Sequence, residues 1–180
     1  MGSILTNTYF SGAGLMDIGL KVGGLTLQQS VEVDKICCDT IRQNFSHEVV
    51  QSDITKKVVL ADKECQVMVA TYPCTRYSPI GDIHGVRTGD DLFLHFFRHV
   101  AIRRPELYVV ENVPGMKKFP VVMEAMTKLP DYYVHVACLP GEDVHVATTK
   151  ARQAHHHRKS KKLCVAGTNG KKSNNTGRDT

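Results

Sequence analysis

A cysteine placed directly after a proline, where an apolar run stops, is the first feature of this chain that suits chemistry. Val67-Met68-Val69-Ala70 reads as a strand, Pro73 ends the extended stretch, and Cys74 follows at once. In a parallel sheet, residues just past the carboxyl end of a strand face the crevice in which ligands bind. Pro73 fixes the backbone dihedral beside the thiol, so Cys74 sits on a loop held by a rigid strand, a suitable setting for a nucleophile. Taken alone, such a cysteine reads first as an inert packing residue. A second continuous apolar run, Leu107-Tyr108-Val109-Val110, ends in Glu111-Asn112-Val113-Pro114-Gly115 and would carry a carboxylate to the same crevice.

Near the N-terminus, Phe10-Ser11-Gly12-Ala13-Gly14 follows a short run from Ser3 to Tyr9. Leu15, Ile18, Gly19 and Val22 then recur with the spacing of an amphipathic helix, and Gly23-Gly24 ends it. The glycines therefore lie on a strand-to-helix turn. That turn is either a plain tight turn or a place where backbone and helix N–H groups approach an anionic or polar ligand. Glu32 closes a strand-like run beginning at Thr26, 20 positions after Gly12. An acid there can accept hydrogen bonds from ribose hydroxyls, and the two features together are far more specific than either.

Elements must position these groups, and the rest of the chain supplies them. A third strand near Glu48 to Gln51 ends at Ser52-Asp53-Ile54. Cys37 and Cys38 on the helix before it read as packing residues. Residues 81–91 are rich in glycine and charge, the composition of a mobile loop that closes over a substrate. Phe93, Phe96, Phe97 and Val100 have helical spacing and Pro105 stops that helix. His95 and His99 lie four apart on it; with no carboxylate or cysteine in register, a solvated face is expected in preference to a metal site. Pro120 opens another helix with Val122, Ala125, Met126 and Leu129 at core spacing, and Tyr132 to Cys138 makes a sixth strand. Alternation of this kind predicts a doubly wound α/β domain with a mostly parallel sheet.

Composition sets the outer bounds. The 180 residues suffice for one domain, and no apolar run is long enough to span a bilayer. Six cysteines without a paired framework, and no signal peptide, predict an intracellular chain with no membrane partner. The net charge of +5 hides an asymmetry: Lys150 to Thr180 holds 9 Lys/Arg against 1 acid, the remainder 14 against 17. The basic end predicts a polyanion-binding or disordered tail. Its three histidines, His155 to His157, belong to that tail, and Leu163-Cys164-Val165-Ala166-Gly167 is its only strand-like piece.

The motifs, in this order and spacing, resemble those of the DNA cytosine carbon-5 methyltransferases over about residues 5 to 152. The resemblance implies a Rossmann-like fold that uses S-adenosylmethionine. It implies cofactor contacts from Phe10, Ser11, Gly12, Gly14, Glu32, Asp53 and Ile54. Cys74 matches the nucleophile, Glu111 the acid that holds ring N3, and Arg152 the arginine that binds O2. Ser78, Asn112 and Lys150 match substrate-binding positions. The implied partner is duplex DNA with one cytosine flipped out, methylated through a covalent cysteine adduct. Tyr72, Thr75, Thr148 and Lys150 depart from the family's usual residues. The sequence further suggests residues 1–152 as the catalytic domain and 153–180 as a basic disordered tail, truncated or frameshifted. The sheet is then expected to lack its last strand, and a second chain to supply target recognition. A tRNA-directed enzyme and a non-catalytic cofactor-binding remnant are the alternatives.

Overall fold

The computed structural model describes residues 2–73, 92–140 and 161–169, with backbone only from residue 138 onward. Strands β1 (Leu5–Tyr9), β2 (Thr26–Glu32), β3 (Glu48–Gln51), β4 (Val67–Ala70) and β5 (Leu107–Asn112) run parallel. Helices α1 (Leu15–Val22), α2 (Lys35–Asn44), α3 (Leu92–Arg103) and α4 (Pro120–Thr127) alternate with them, together with short 3-10 turns at Val59–Ala61 and Pro114–Lys118. Strands β6 (Tyr132–Pro140) and β7 (Lys161–Asn169) complete one sheet in the order β3-β2-β1-β4-β5-β7-β6. The expected doubly wound, mostly parallel architecture is what the chain adopts.

The order reverses between β1 and β4, so the sheet's topological switch point lies between them. Strand β4 is buried at every position, as its unbroken apolar run requires, and so is most of β1. Strand β1 is nevertheless polar. Its buried Asn7 donates Nδ2–H to the Lys63 carbonyl at 2.8 Å, and Thr8 shares hydroxyl bonds with Ser11 and Ser30, which removes most of the cost of burying such groups. Aromatic edges fill the core beside it, with Tyr9 against Phe96 and Phe97 against Tyr108, each pair 5.4 Å between centroids.

Three expectations are corrected. Helix α1 forms, yet its apolar stripe faces outward: Leu15 is 80% and Val22 83% exposed, while Asp17 is fully buried. Asp17 is drawn inward because Ser30 Oγ donates to its carboxylate at 2.8 Å. His99 is not on a solvated face; it is fully buried with Nδ1 2.5 Å from Asp62 Oδ2. Third, the stretch expected as a disordered tail carries a strand around its one strand-like piece, Leu163 to Gly167: Lys161–Asn169 is inserted antiparallel between β5 and β6. Nine residues with a small apolar centre carry little local signal; their strand state comes from ladders on both sides.

Candidate functional site

The carboxyl ends of four neighbouring strands and the start of α3 enclose one cavity of about 310 Å³. Its lining includes Phe10 and Gly12 after β1, Glu32 at the end of β2, and Ser52, Asp53 and Ile54 after β3. Thr71 and Pro73 after β4, and Leu92, complete the other side. Ser11 and Gly14 brace this wall without lining it. The Ser11 hydroxyl is 2.8 Å from Thr8 Oγ1. Gly14 turns at φ +88°, where an added Cβ would come within 3.0 Å of the Phe45 ring.

Glu32 ties the wall together. Its Oε2 accepts the Gly12 N–H at 2.8 Å, and its Oε1 accepts the N–H groups of Val33 and Asp34 at 2.8 and 2.9 Å. Oε1 has used both lone pairs, whereas Oε2 keeps one acceptor position. Gly12 adopts φ +51°, and a Cβ there would meet nothing within 4 Å, so the backbone faces open space. Phe10 also lies in the left-handed region, at φ 56°, a conformation costing an L-residue roughly 1–2 kcal/mol. It is held there by Thr71 Oγ1, which donates to the Phe10 carbonyl at 2.9 Å, and by its ring packing edge-on to Tyr72. Asp53 caps the turn after β3: its Oδ1 accepts from Thr55 N and Oγ1 at 2.9 and 2.8 Å. The Thr55 N–H, followed by the Thr55 hydroxyl, holds the Asp53 carboxyl below the usual carboxylate range.

Strands β4 and β5 pair in register as far as Ala70 and Val110, so Glu111, one residue on, stands beside the chain that leaves β4. Asn112 is buried and joins the two strand tips: its Nδ2–H donates to the Tyr72 carbonyl at 3.1 Å, and its Oδ1 accepts the Val113 N–H at 2.8 Å. Its amide is thus engaged in holding the loop that leads to Cys74. Cys74, Ser78, Lys150, Arg152 and the glycine-rich loop 81–91 lie outside the described residues.

A family model for C-5 cytosine-specific DNA methylases matches residues 7–163. The chain belongs to that family. It is 38% identical over 120 residues to the type II methyltransferase M.AquIA of Picosynechococcus sp., covering 59% of this chain and 47% of the relative. It is 36% identical over 118 residues to M1.HphI of Haemophilus parahaemolyticus, covering 58% and 31%. The chain thus spans less than half the length of these curated relatives. Among solved structures it resembles a prophage-encoded protein (E. coli) assigned as a DNA modification methyltransferase, at TM-score 0.70 and 21% identity over 93% of this chain and 47% of that one. The Dnmt2 methyltransferase of S. pombe gives TM-score 0.68 at 12% identity, over 94% and 50%. Identities this low establish the fold alone.

Within this methylase domain, the described cysteines are poorly suited to act as nucleophiles. Burial, and then neighbouring charges, push the Cys37 thiol up, Cys38 is raised chiefly by burial, and burial pushes Cys65 up to about 11. Thiols so shifted are scarcely ionised near neutral pH. Cavity residues missing from the sequence-based set are Val31, Val33, Ser52, Thr71, Pro73 and Leu92. Most flank strand tips already picked out, so extending each tip by one or two residues would have found them. Leu92 would not have been found, because only the packing of α3 brings it to the cavity.

The brace between strand tips makes a stability prediction. Asn112→Ala removes both bonds and leaves the buried Tyr72 carbonyl without this donor. Urea unfolding is expected to show a loss of about 1–3 kcal/mol; a change under about 0.5 kcal/mol would show that the brace contributes nothing.

Proposed function

We propose that this chain is the catalytic part of a DNA cytosine carbon-5 methyltransferase, with S-adenosylmethionine bound in the strand-tip cavity and target recognition supplied by a second chain. The observation that carries the reading is the cavity itself. Phe10, Gly12, Glu32, Asp53 and Ile54 come from three strand tips onto one surface, with Pro73 at its edge and Cys74 next in the chain.

The cavity fits such a ligand. Its volume of about 310 Å³ is at the lower end of the range for small-molecule sites. Gly12 leaves its backbone side open, and Glu32 Oε2 keeps an acceptor position for a hydroxyl. Phe10 and Ile54 offer apolar surface for the adenine, and Gly12 and Gly14 shape the turn toward the methionine end. When bound, the cofactor supplies an electrophilic methyl group. The remaining chemistry belongs to the chain and the base.

Cytosine carbon-5 is a weak nucleophile. The Cys74 thiolate adds to carbon-6, and the displaced ring electrons make carbon-5 an enamine carbon that takes up the methyl group. Glu111 hydrogen-bonds or protonates N3, so negative charge does not accumulate on the ring. A base then removes the carbon-5 proton, and the returning electrons expel Cys74 as thiolate. Arg152 holds O2, while Ser78 and Lys150 contact the nucleic acid. Asn112 acts by fixing the Cys74 loop. Support for Arg152 comes from the flanks of its segment: Pro140 pairs with Lys161, and Leu163 with Asn112, so both described ends stand near the tip of β5.

Support for a partner surface comes from the outward apolar stripe of α1, Leu15, Ile18 and Val22. The test is trapping. A duplex carrying 5-fluorocytosine blocks the proton-removal step, so mass spectrometry with S-adenosylmethionine should find a methylated DNA adduct on Cys74. The trial is run alone and with a polypeptide carrying a target-recognition segment, and tRNA replaces the duplex in a parallel arm. No adduct in any arm would overturn the reading, and an adduct confined to tRNA would reassign the substrate.

A further inference from the structure

The adenine side of the cavity rests on a weakly anchored part of the fold. Strand β3 has four residues, pairs only with β2, and is the edge of the sheet. The turn that follows it carries Asp53 and Ile54. Asp53 closes its start, receiving Thr55 N–H on the side chain and the Lys56 and Lys57 N–H groups on its carbonyl at 3.1 and 3.0 Å. Its far end presents the carbonyls of Ile54 and Lys57. Carbonyls at the end of such a turn need an outside donor.

That donor comes from α3. Arg98 Nη2 donates to the Ile54 carbonyl at 2.9 Å and to the Lys57 carbonyl at 3.1 Å. The helix it stands on is fixed independently, through fully or nearly buried Phe93, Phe96, Phe97 and Val100. Its first residue, Leu92, lines the same cavity as Ile54. Arg98 therefore connects two walls: the edge turn with Ile54 and the core helix that begins at Leu92. A guanidinium is suited to this because its planar Nη2 holds two N–H donors in fixed directions, one for each carbonyl. A lysine in its place would be a point donor on a flexible stem.

We propose that Arg98 is a positioning residue for the methyl donor, setting the separation of the Ile54 and Leu92 walls by holding the turn after β3 against α3. The proposal rests on the reading of this cavity as the S-adenosylmethionine site. Without the guanidinium, the turn moves away from α3 and the bound nucleoside loses one wall.

The test compares Arg98→Met and Arg98→Lys with Val100→Ala, which weakens the same helix from its core side without touching the turn. Calorimetry with S-adenosylhomocysteine, on full-length chain well below its unfolding temperature, should show Kd raised about tenfold or more in Arg98→Met. Arg98→Lys should recover part of the loss, and Val100→Ala should bind as the parent does. Amide hydrogen exchange in the free chain should be at least tenfold faster at Thr55 to Lys57 in Arg98→Met alone. Parent-like affinity and exchange in Arg98→Met overturn the proposal, as does an equal affinity loss in Val100→Ala. A parent chain that binds no S-adenosylhomocysteine overturns the cofactor reading instead, and exchange at the turn then decides separately whether Arg98 holds it.

Discussion

Cys74→Ser is expected to abolish methyl transfer, by at least about a thousandfold, while S-adenosylmethionine binding stays within about twofold of the parent. The size follows from the nucleophile. A free thiol with pKa about 8.5 is roughly one-tenth ionised at pH 7.5, and sulfur both attacks carbon-6 and leaves it readily. A serine hydroxyl at the same place is essentially un-ionised and has no base assigned to activate it. A thousandfold loss equals about 4 kcal/mol of transition-state stabilisation, which is modest for removal of a covalent nucleophile. Binding is spared because the cavity is lined by Pro73 and the residues of the other strand tips. Transfer assays with a polypeptide carrying a target-recognition segment added, paired with calorimetry, make the measurement. Cys37→Ser serves as the control, since the Cys37 thiol is pushed up and belongs to α2. Retention of more than a tenth of the activity in Cys74→Ser would remove the cysteine from the chemistry.

Asp62→Ala is expected to be the most destabilising single change among the described residues. The Asp62 carboxylate is the centre of a buried network. Tyr9 Oη donates to its Oδ2 at 2.8 Å, His99 Nδ1 lies 2.5 Å from the same oxygen, and Lys57 Nζ lies 2.9 Å from Oδ1. Lys57 and His99 are themselves buried, so removing the carboxylate strands two cation-forming groups and a phenol. Breaking one side of such a buried pair costs about 3–5 kcal/mol. In a chain of this size that lowers Tm by roughly 6–20 °C. Asp62→Asn should recover part of the loss by keeping one acceptor oxygen. A loss below about 1 kcal/mol on urea unfolding would show that the network is dispensable.

The same carboxylate gives a pH dependence. Burial pushes the Asp62 carboxyl up, but the hydrogen bonds from His99 and Lys57 outweigh it and hold the group below its ordinary value of 3.8. A group whose folded pKa is depressed contributes stability that is present above the unfolded value and is lost as pH falls through the folded one. The parent should therefore lose this contribution on acidification below about 3.8, and Asp62→Ala should lack that component.

Much of the site was legible because its signals are local. Gly12 and Gly14 are required by positive φ on a turn fixed by adjacent residues. Glu32 is the last residue of β2, and Glu111 follows the apolar run Leu107 to Val110 within β5. The order of such tips across a doubly wound sheet follows from general rules of α/β connection, so Phe10, Gly12, Glu32, Asp53 and Ile54, far apart in the chain, line one cavity. Helix α3 was equally readable, since Phe93, Phe96, Phe97 and Val100 are spaced for one buried face.

The failures share a different cause. Apolar periodicity marks a face but does not say whether anything covers it, and the stripe on α1 faces outward. Histidine is amphipathic, so the identity of His99 could not reveal that Asp62, 37 positions away, would make burial favourable. The strand Lys161–Asn169 begins on two lysines and ends on Thr168-Asn169, so only its centre was legible, and its extent follows from the two strands it pairs with. No local pattern marks Arg98, whose two backbone carbonyl partners are brought to it from more than 40 positions away.

The sequence by itself determined which residue types stand at each strand tip and hence what chemistry the crevice can hold, because strand ends and glycine turns are written in short local patterns. Only the tertiary structure decided which charges are buried together, which apolar face stays bare, and how α3 holds the edge turn in place. Those outcomes depend on contacts between segments distant in the chain, and the physics that selects them, desolvation balanced against hydrogen bonding, acts only once those segments have been brought together.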